Sequence, residues 1–168
     1  DTYIIGHGDT LYATRGNAAS TKVILDKVSN IGQLVRMKRG LAAFVADTSS
    51  ARSIFVTDGT KAGTRSIRDW PRNARITKLS AHGGRWLSFV IDDNAIGLSD
   101  AARVQQIINK VRAPLVAQQG DRLVFFAEDP TRGAEPHFLI GLGAMFQVVG
   151  EGCGRGTRMM QLDSTPPN

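Results

Sequence analysis

The sequence predicts an all-β protein of the β-propeller type, with four repeats of about four short antiparallel strands each. The first observation is an internal repeat: residues 54–64 recur in degraded form as residues 11–21, at a constant offset of 43. The second is that a period in the forties is typical of propellers and repeat arrays. The third is that short runs of β-forming residues alternate with turn signals along the chain. The alternative is a part of a larger propeller, which another chain or segment would complete.

The best-kept copy reads as a β-hairpin. A β-forming run at residues 53–56 leads into Asp58-Gly59, and residues 64–70 alternate as a returning strand. A turn that needs positive φ favours Gly59, and the Asp58 carboxylate can accept nearby backbone N–H groups. Gly63 permits another unusual backbone angle in the longer loop. We therefore predict that Asp58, Gly59 and Gly63 form a structural turn.

The degraded copy supports this interpretation of the turn. Arg15 stands where the better copy has its aspartate, whereas Gly16 is retained. A ligand site would need the acid more than the glycine. The turn is therefore expected to be architectural.

The other β runs follow the same period after small loop changes. They lie at residues 3–5, 41–47, 76–80, 85–92, 96–101, 103–108, 122–129, 135–141, 144–149 and 159–162. Residues 100–111 also carry apolar side chains at helical spacing, but the repeat favours a strand pair there. The units are 1–40, 41–84, 85–121 and 122–164, in one domain spanning 1–164, with a tail at 165–168. Equivalent positions predict a shared core of Phe44, Phe89, Phe126, Phe55, Tyr12, Ile67 and Val148.

Residues 53–64 resemble the ELWxxDGT repeat of bacterial secreted and surface proteins. Ser53, Ile54 and Phe55 stand in place of its Glu, Leu and Trp, while the DGT portion is kept. The resemblance implies a propeller-like array and an extracytoplasmic location. It implies no catalytic residues and no cofactor, because structural positions define that family. A first residue other than Met is consistent with a processed form or a trimmed one.

The positive charge raises the question of a nucleic-acid partner. The formal net charge is +6 and the isoelectric point is about 10.0, and clustered cations bind phosphates by releasing counterions. The cations are scattered, however, and no nucleic-acid-binding motif is present. Arg36 and Lys38 would share one face of a strand. A solvated basic face is the favoured interpretation, with acidic glycans or an acidic protein as possible partners.

Metal and thiol chemistry finds little support in the spacing of the residues. His7, His82 and His137 lie far apart, and His137 occupies an aromatic position of the repeat. The calcium candidates are Asp92, Asp93 and Asn94 in a tight loop. Because Asp47, Asp92 and Asp129 recur at one repeat position, hydrogen bonding at strand ends is the favoured role. Cys153 is the single cysteine, so an inert thiol is expected, with pairing between chains or lipid attachment as the alternatives.

The remaining candidates concern partner binding. Trp70, with Arg68 and Arg72 nearby, is the best surface aromatic, whereas Trp86 lies in an apolar run and belongs to the core. No catalytic or phosphate-binding motif appears, and no apolar run is long enough to span a membrane. We therefore expect a non-enzymatic binding or scaffold protein that contacts other proteins in a larger assembly. The alternatives are a carbohydrate-binding propeller and a secreted hydrolase with an unrecognised site.

Overall fold

The computed structural model shows an all-β chain of antiparallel sheets, as predicted. It describes the backbone of residues 2–82, 86–102, 104–109, 117–119, 122–129, 133–140, 147–150 and 158–161, and side-chain surroundings for residues 2–82, 86–102 and 104. Within these residues no sheet closes on itself, and a short 3₁₀ helix lies at Ala18–Ser20. No helix among them is long and apolar enough to cross a membrane.

The strands form four sheets in chain order. The first sheet has the strand order β1-β2-β3, and the second has the order β4-β5-β6-β7. Their bounds are β1 (Tyr3–His7), β2 (Thr10–Thr14), β3 (Lys22–Leu25), β4 (Ser29–Arg36), β5 (Ala42–Asp47), β6 (Ala51–Thr57) and β7 (Arg65–Pro71).

The third sheet has the order β11-β10-β9-β8, and the fourth has the order β12-β13-β14-β15-β16. Their bounds are β8 (Ile76–His82), β9 (Trp86–Ile91), β10 (Ala95–Ser99), β11 (Val104–Asn109), β12 (Ala117–Gln119), β13 (Arg122–Asp129), β14 (Gly133–Ile140), β15 (Gln147–Gly150) and β16 (Arg158–Gln161). The chain divides into two compact units, one of Asp1–Asp92 with Gly97–Ile107 and one of Asp93–Ile96 with Ile108–Asn168.

The predicted strands correspond to elements of the structure, but β4 and β12 had no predicted counterpart, and the strands are grouped differently. The segment Val104–Asn109 is a strand, so the helical alternative is wrong there. The strand β8 pairs with β9, so the third sheet begins one strand earlier than a boundary at residue 84 implies. In the second sheet the hairpin β5-β6 pairs with the preceding strand β4, and in the third sheet the hairpin β9-β10 pairs with the preceding strand β8.

One hydrophobic cluster of the core lies between the first two sheets and follows the strand alternation. Phe44 and Phe55 stack with ring centroids 5.3 Å apart, and both pack with Leu11 and Ala13 of β2. Tyr12 stands between those two residues, so its side chain points to the other face and is only half-buried. The prediction of Tyr12 as a core residue is therefore wrong.

Ile67 is a second correction to the predicted core. It is half-buried and lies in β7 where the pairing with β6 shifts register between Ile54 and Phe55. A residue left over by such a bulge has no cross-strand partner to pack against. Phe89 is fully buried, as predicted. The side chains of Phe126, His137 and Val148 lie outside the described residues, as do Cys153 and the tail.

The second and third sheets are joined by side chains that bond to backbone. The Gln33 amide donates to the Ile76 carbonyl at 2.6 Å and accepts the Leu79 N–H at 2.9 Å. The Arg65 guanidinium donates to the carbonyls of Ala101 and Ala102. Three of these four contacts, all but the bond to the Ala102 carbonyl, satisfy partly buried polar groups, and together they help to fix how the two sheets align.

One glycine is required by the core of the third sheet. A Cβ at Gly97 would overlap the buried ring of Phe89. We expect Gly97→Ala to lower the free energy of unfolding by about 1–3 kcal/mol, because an overpacked core strains its neighbours. Gly32→Ala is the matched control: its Cβ would find only the Asn30 carbonyl, 4.0 Å away. Equal denaturant midpoints for the two variants would contradict this packing.

Candidate functional site

A buried threonine organises the turn after β6. The Thr57 hydroxyl accepts the Gly59 N–H at 3.0 Å and shares a 2.7 Å hydrogen bond with the Thr64 hydroxyl. Thr57 is fully buried. Gly59 has φ of +87°, the left-handed conformation that the Asp-Gly pair favours. The hydroxyl therefore ties the end of β6 to the start of the returning strand.

The first sheet carries the same hydrogen bonds at the equivalent positions. The Gly16 N–H donates to the Thr14 hydroxyl at 3.1 Å, and the Thr21 hydroxyl donates to the same oxygen at 2.8 Å. Gly16 has φ of +94°. The offset of 43 in the sequence thus corresponds to one repeated turn geometry.

The third sheet keeps a reduced form of this turn. Ser99 takes the place of the threonine and accepts the Ala101 N–H at 3.3 Å. Ala101 has φ of +71°, although it carries a Cβ. The Asp100 carboxylate accepts the Ala102 N–H at 2.9 Å. Three successive sheets therefore end their second or third strand in the same way.

The Asp58 carboxylate is engaged in local hydrogen bonds. Its Oδ1 accepts the Thr60 hydroxyl at 2.7 Å and the Thr60 N–H at 2.8 Å. The bond from the Thr60 hydroxyl, and to a smaller extent the bond from the Thr60 N–H, holds the pKa of Asp58 below its ordinary value. A Cβ at Gly63 would overlap the Asp58 carboxylate. The turn therefore needs a residue without a side chain at position 63.

A second carboxylate joins the strands of the same sheet. Asp69 Oδ1 accepts the hydroxyls of Ser66 at 2.6 Å and Ser53 at 2.7 Å. The bond from Ser66, and to a smaller extent the bond from Ser53, lowers the pKa of Asp69. Ser53 stands where the ELWxxDGT repeat has its glutamate. In this chain the side chain at that position links β6 to β7 through its hydrogen bond to Asp69.

The aspartates at the strand ends form hydrogen bonds between neighbouring strands. Asp47 Oδ2 accepts the Asn30 amide at 2.6 Å, and its Oδ1 lies 3.6 Å from Arg52 Nε. Asp92 Oδ1 accepts the Arg75 N–H at 2.7 Å. The strand-end role predicted for Asp47 and Asp92 is therefore confirmed. The side chain of Asp129 is not among those described.

The calcium candidates lie in the loop between β9 and β10. Asp92, Asp93 and Asn94 are all exposed, and the first two have positive φ. Across the part of the chain that the structure describes, no three His, Cys, Asp or Glu side chains form a group that could hold a metal ion. With one Asp92 oxygen already bonded to backbone, this loop offers few free ligands.

Trp70 is held by its neighbours in the structure. Its ring meets Phe89 edge-on with centroids 5.5 Å apart, and the Arg68 guanidinium carbon lies 5.5 Å from the Trp70 ring centroid. Trp70 is half-buried, and Arg72 is exposed in the loop that follows. Trp86 is buried. The ring of Trp70 thus contributes to packing between the second and third sheets.

A histidine and a serine approach each other inside the third sheet. His82 Nε2 lies 2.6 Å from the Ser88 hydroxyl oxygen. Such a pair is what nucleophilic catalysis uses, but both side chains are buried. A substrate cannot reach them, so their bond serves to satisfy polar groups in the interior.

A groove of about 910 Å³ lies between the first two sheets. The most exposed of its large apolar side chains are Tyr3 and Ile5 on β1 and Leu34 on β4, which are 57%, 49% and 48% exposed. The Asp58-Gly59 turn forms one end, where a Cβ at Gly59 would lie 3.3 Å from Thr2 Cγ2. We call this hollow the β1–β4 groove.

Cations border the β1–β4 groove. Arg36 lines it, and Lys38 and Arg39 line an adjoining hollow of about 450 Å³ at the tip of the β4–β5 hairpin. Among the described residues none of the three pairs with a carboxylate. The strand β4 ends at Arg36, so Lys38 lies in the hairpin tip. The prediction that Arg36 and Lys38 share one face of a strand is therefore wrong.

The sequence did not predict this groove. Residues 36–39 are cationic and residues 3–5 form an apolar run, but nothing in one sequence shows that they lie together. The comparisons with known proteins supply no relative: no family model matches the chain, and the search of curated proteins returned no match. The functional interpretation therefore depends on the geometry and on the motif in residues 53–64.

The turn predicts a clear ranking of two substitutions. Gly59→Val should lower the free energy of unfolding by about 1–3 kcal/mol, because a β-branched residue is strained at positive φ and would crowd Thr2. Asp58→Asn should cost about 1 kcal/mol or less, because its amide oxygen still accepts the Thr60 donors. Thermal melts with and without calcium test this. Equal losses, or calcium stabilising the wild type alone, would identify a ligand site instead.

Proposed function

We propose that this chain is a non-enzymatic binding or scaffold protein that contacts another protein through the β1–β4 groove. The proposal includes a β-propeller-type arrangement, either complete or part of a larger ring, and an extracytoplasmic location within a larger assembly. The observation that carries it is the exposure of Tyr3, Ile5 and Leu34 in one groove. Clustered exposed apolar side chains mark interaction surfaces.

The shape and composition of the groove favour a protein over a small molecule. Small-molecule sites bury most of the ligand's surface, whereas this groove is open and is bordered by cationic side chains. An apolar centre with a polar rim is the usual anatomy of a protein interface. The basic rim further favours a partner that carries acidic residues.

The arrangement and the location are supported by the repeat. Three successive sheets share one turn geometry, and the period of 43 lies in the range of propeller repeats. The resemblance of residues 53–64 to the ELWxxDGT repeat supports an extracytoplasmic location. Trp70 was the candidate for sugar stacking, and its contacts with Phe89 and Arg68 make the carbohydrate-binding alternative less favoured.

Site-specific photo-crosslinking in the native cells tests the proposal. A photoreactive residue at Leu34, in the groove, should give a discrete adduct with another protein. Val23 provides the matched control, because it is 41% exposed on β3 and does not line the groove. An adduct at both positions, or at neither, would contradict a groove-specific protein partner. Fractionation of the cells before crosslinking tests the extracytoplasmic location separately.

A further inference from the structure

The tip of the β4–β5 hairpin concentrates three cations. Arg36, Lys38 and Arg39 are all exposed, and with Met37 and Gly40 they line the hollow of about 450 Å³. Within the described residues, none of the three cationic side chains forms a hydrogen bond or an ion pair. We call residues 36–40 the cationic tip. Its charges are available to an anionic group outside the described residues.

The backbone of the cationic tip is fixed by its own contacts. Met37 lies between the cations and is buried, with 4% exposure, and its N–H donates to the Leu41 carbonyl at 2.8 Å. The Leu41 N–H donates to the Lys38 carbonyl at 3.4 Å. The buried anchor and the closed turn hold the cationic residues at the end of the hairpin before any partner binds, which lowers the ordering cost of binding.

Arg39 occupies a strained backbone position in this turn. Its φ is +62°, and Gly40 follows with φ of +74°. Two successive residues with positive φ at a hairpin turn are typically Asn-Gly, because Asn tolerates the left-handed region better than residues with long side chains do. The chain thus keeps a cation where a smaller residue would fit the backbone better. Strain of this kind is concentrated at functional positions.

Other residues with positive φ show what such a position can do. Asn30, Gln33 and Asp92 also have positive φ, and each uses its side chain to form a hydrogen bond with a neighbouring strand. The Arg39 side chain forms no such bond in the described part of the chain. Its strain is therefore not offset by a contact within these residues, which points to a contact with a partner.

We propose that the cationic tip recognises a cluster of carboxylates on the partner protein. The guanidinium groups of Arg36 and Arg39 bind carboxylates in the bidentate manner that their planar donors favour, and Lys38 adds a third positive charge. This inference depends on the proposed function and specifies the acidic surface of the partner and the residues that select it.

The surroundings of the cationic tip favour a protein over a nucleic acid. Leu34 of β4 is 48% exposed and lines the same groove as Arg36. A protein can place an apolar side chain beside a carboxylate, whereas a nucleic acid gains its affinity from many phosphate contacts along a row of cations. The tip offers three cations within four residues, which suits a short acidic cluster.

Fluorescence anisotropy with a labelled oligo-glutamate peptide tests the recognised chemistry. The full chain should bind this probe, and the binding should weaken as salt rises, because salt screens exposed charges. An oligo-glutamine peptide of the same length should not bind. An oligothymidine with the same number of charges should bind less tightly than oligo-glutamate, because the tip provides too few cations for extended phosphate contacts.

The substitution Arg39→Asn separates recognition from structure. It should weaken binding of oligo-glutamate by roughly fivefold or more, because one charge and one bidentate donor are lost. It should also raise the denaturant midpoint of unfolding, because Asn suits positive φ. Arg72→Asn is the matched control, since Arg72 is exposed outside the tip and its φ is not positive. The control should leave the affinity and the midpoint nearly unchanged.

Each contrary outcome overturns a defined part of the inference. Equal weakening by Arg39→Asn and Arg72→Asn would show that net charge alone acts, and would overturn the tip as a site. A lower unfolding midpoint for Arg39→Asn would assign Arg39 a structural role instead. Failure to bind oligo-glutamate, or tighter binding of oligothymidine, would overturn the acidic protein partner.

The Leu34 crosslink distinguishes failure of this inference from failure of the proposed function. A crosslink that persists undiminished in the Arg39→Asn and Lys38→Glu variants would overturn recognition by the tip and leave the groove partner standing. Loss of the crosslink in both variants, with the Arg72→Asn control unaffected, would support recognition by the tip. Absence of a Leu34 crosslink in the unchanged protein would contradict the proposed function itself.

Discussion

The buried hydroxyl at the end of a strand is the contact on which the repeated turn of the first three sheets depends. The oxygen of Thr57 binds the N–H of the following glycine and the hydroxyl of Thr64, so one atom closes the turn and fixes the returning strand. Because Thr57 is fully buried, losing that atom would leave polar groups without partners in the interior, which is costly. The same bonds at Thr14 explain why a weak sequence repeat preserves one geometry.

Much of the fold could be predicted from the sequence because the repeat aligns strand with strand and turn with turn. The strand β4 was not identified individually, since Asn30 and Gln33 adopt positive φ and break its alternation. Tyr12 was wrongly predicted as a core residue, because an aromatic residue aligned with Phe55 need not lie on the same face of its strand. Both errors arise where a bulge shifts the side-chain order, a feature that composition and spacing do not encode.

The groove could not be predicted, since it joins β1 to β4 across sequence positions that no motif connects. Its elements nevertheless have local causes. Exposed apolar residues on two strands and cations at a hairpin tip are each readable in the sequence, but only packing of the first two sheets brings them together.

The most direct test of this account is a double-mutant cycle on the turn, with Thr57→Val, Thr64→Val and the double variant measured by denaturant unfolding. The account predicts that each single change destabilises the protein and that the two couple by about 0.5–1.5 kcal/mol, because they share one hydrogen bond. The equivalent pair Thr14 and Thr21 should couple similarly. Strictly additive costs in both pairs would contradict the claim that a shared hydroxyl bond organises each repeat.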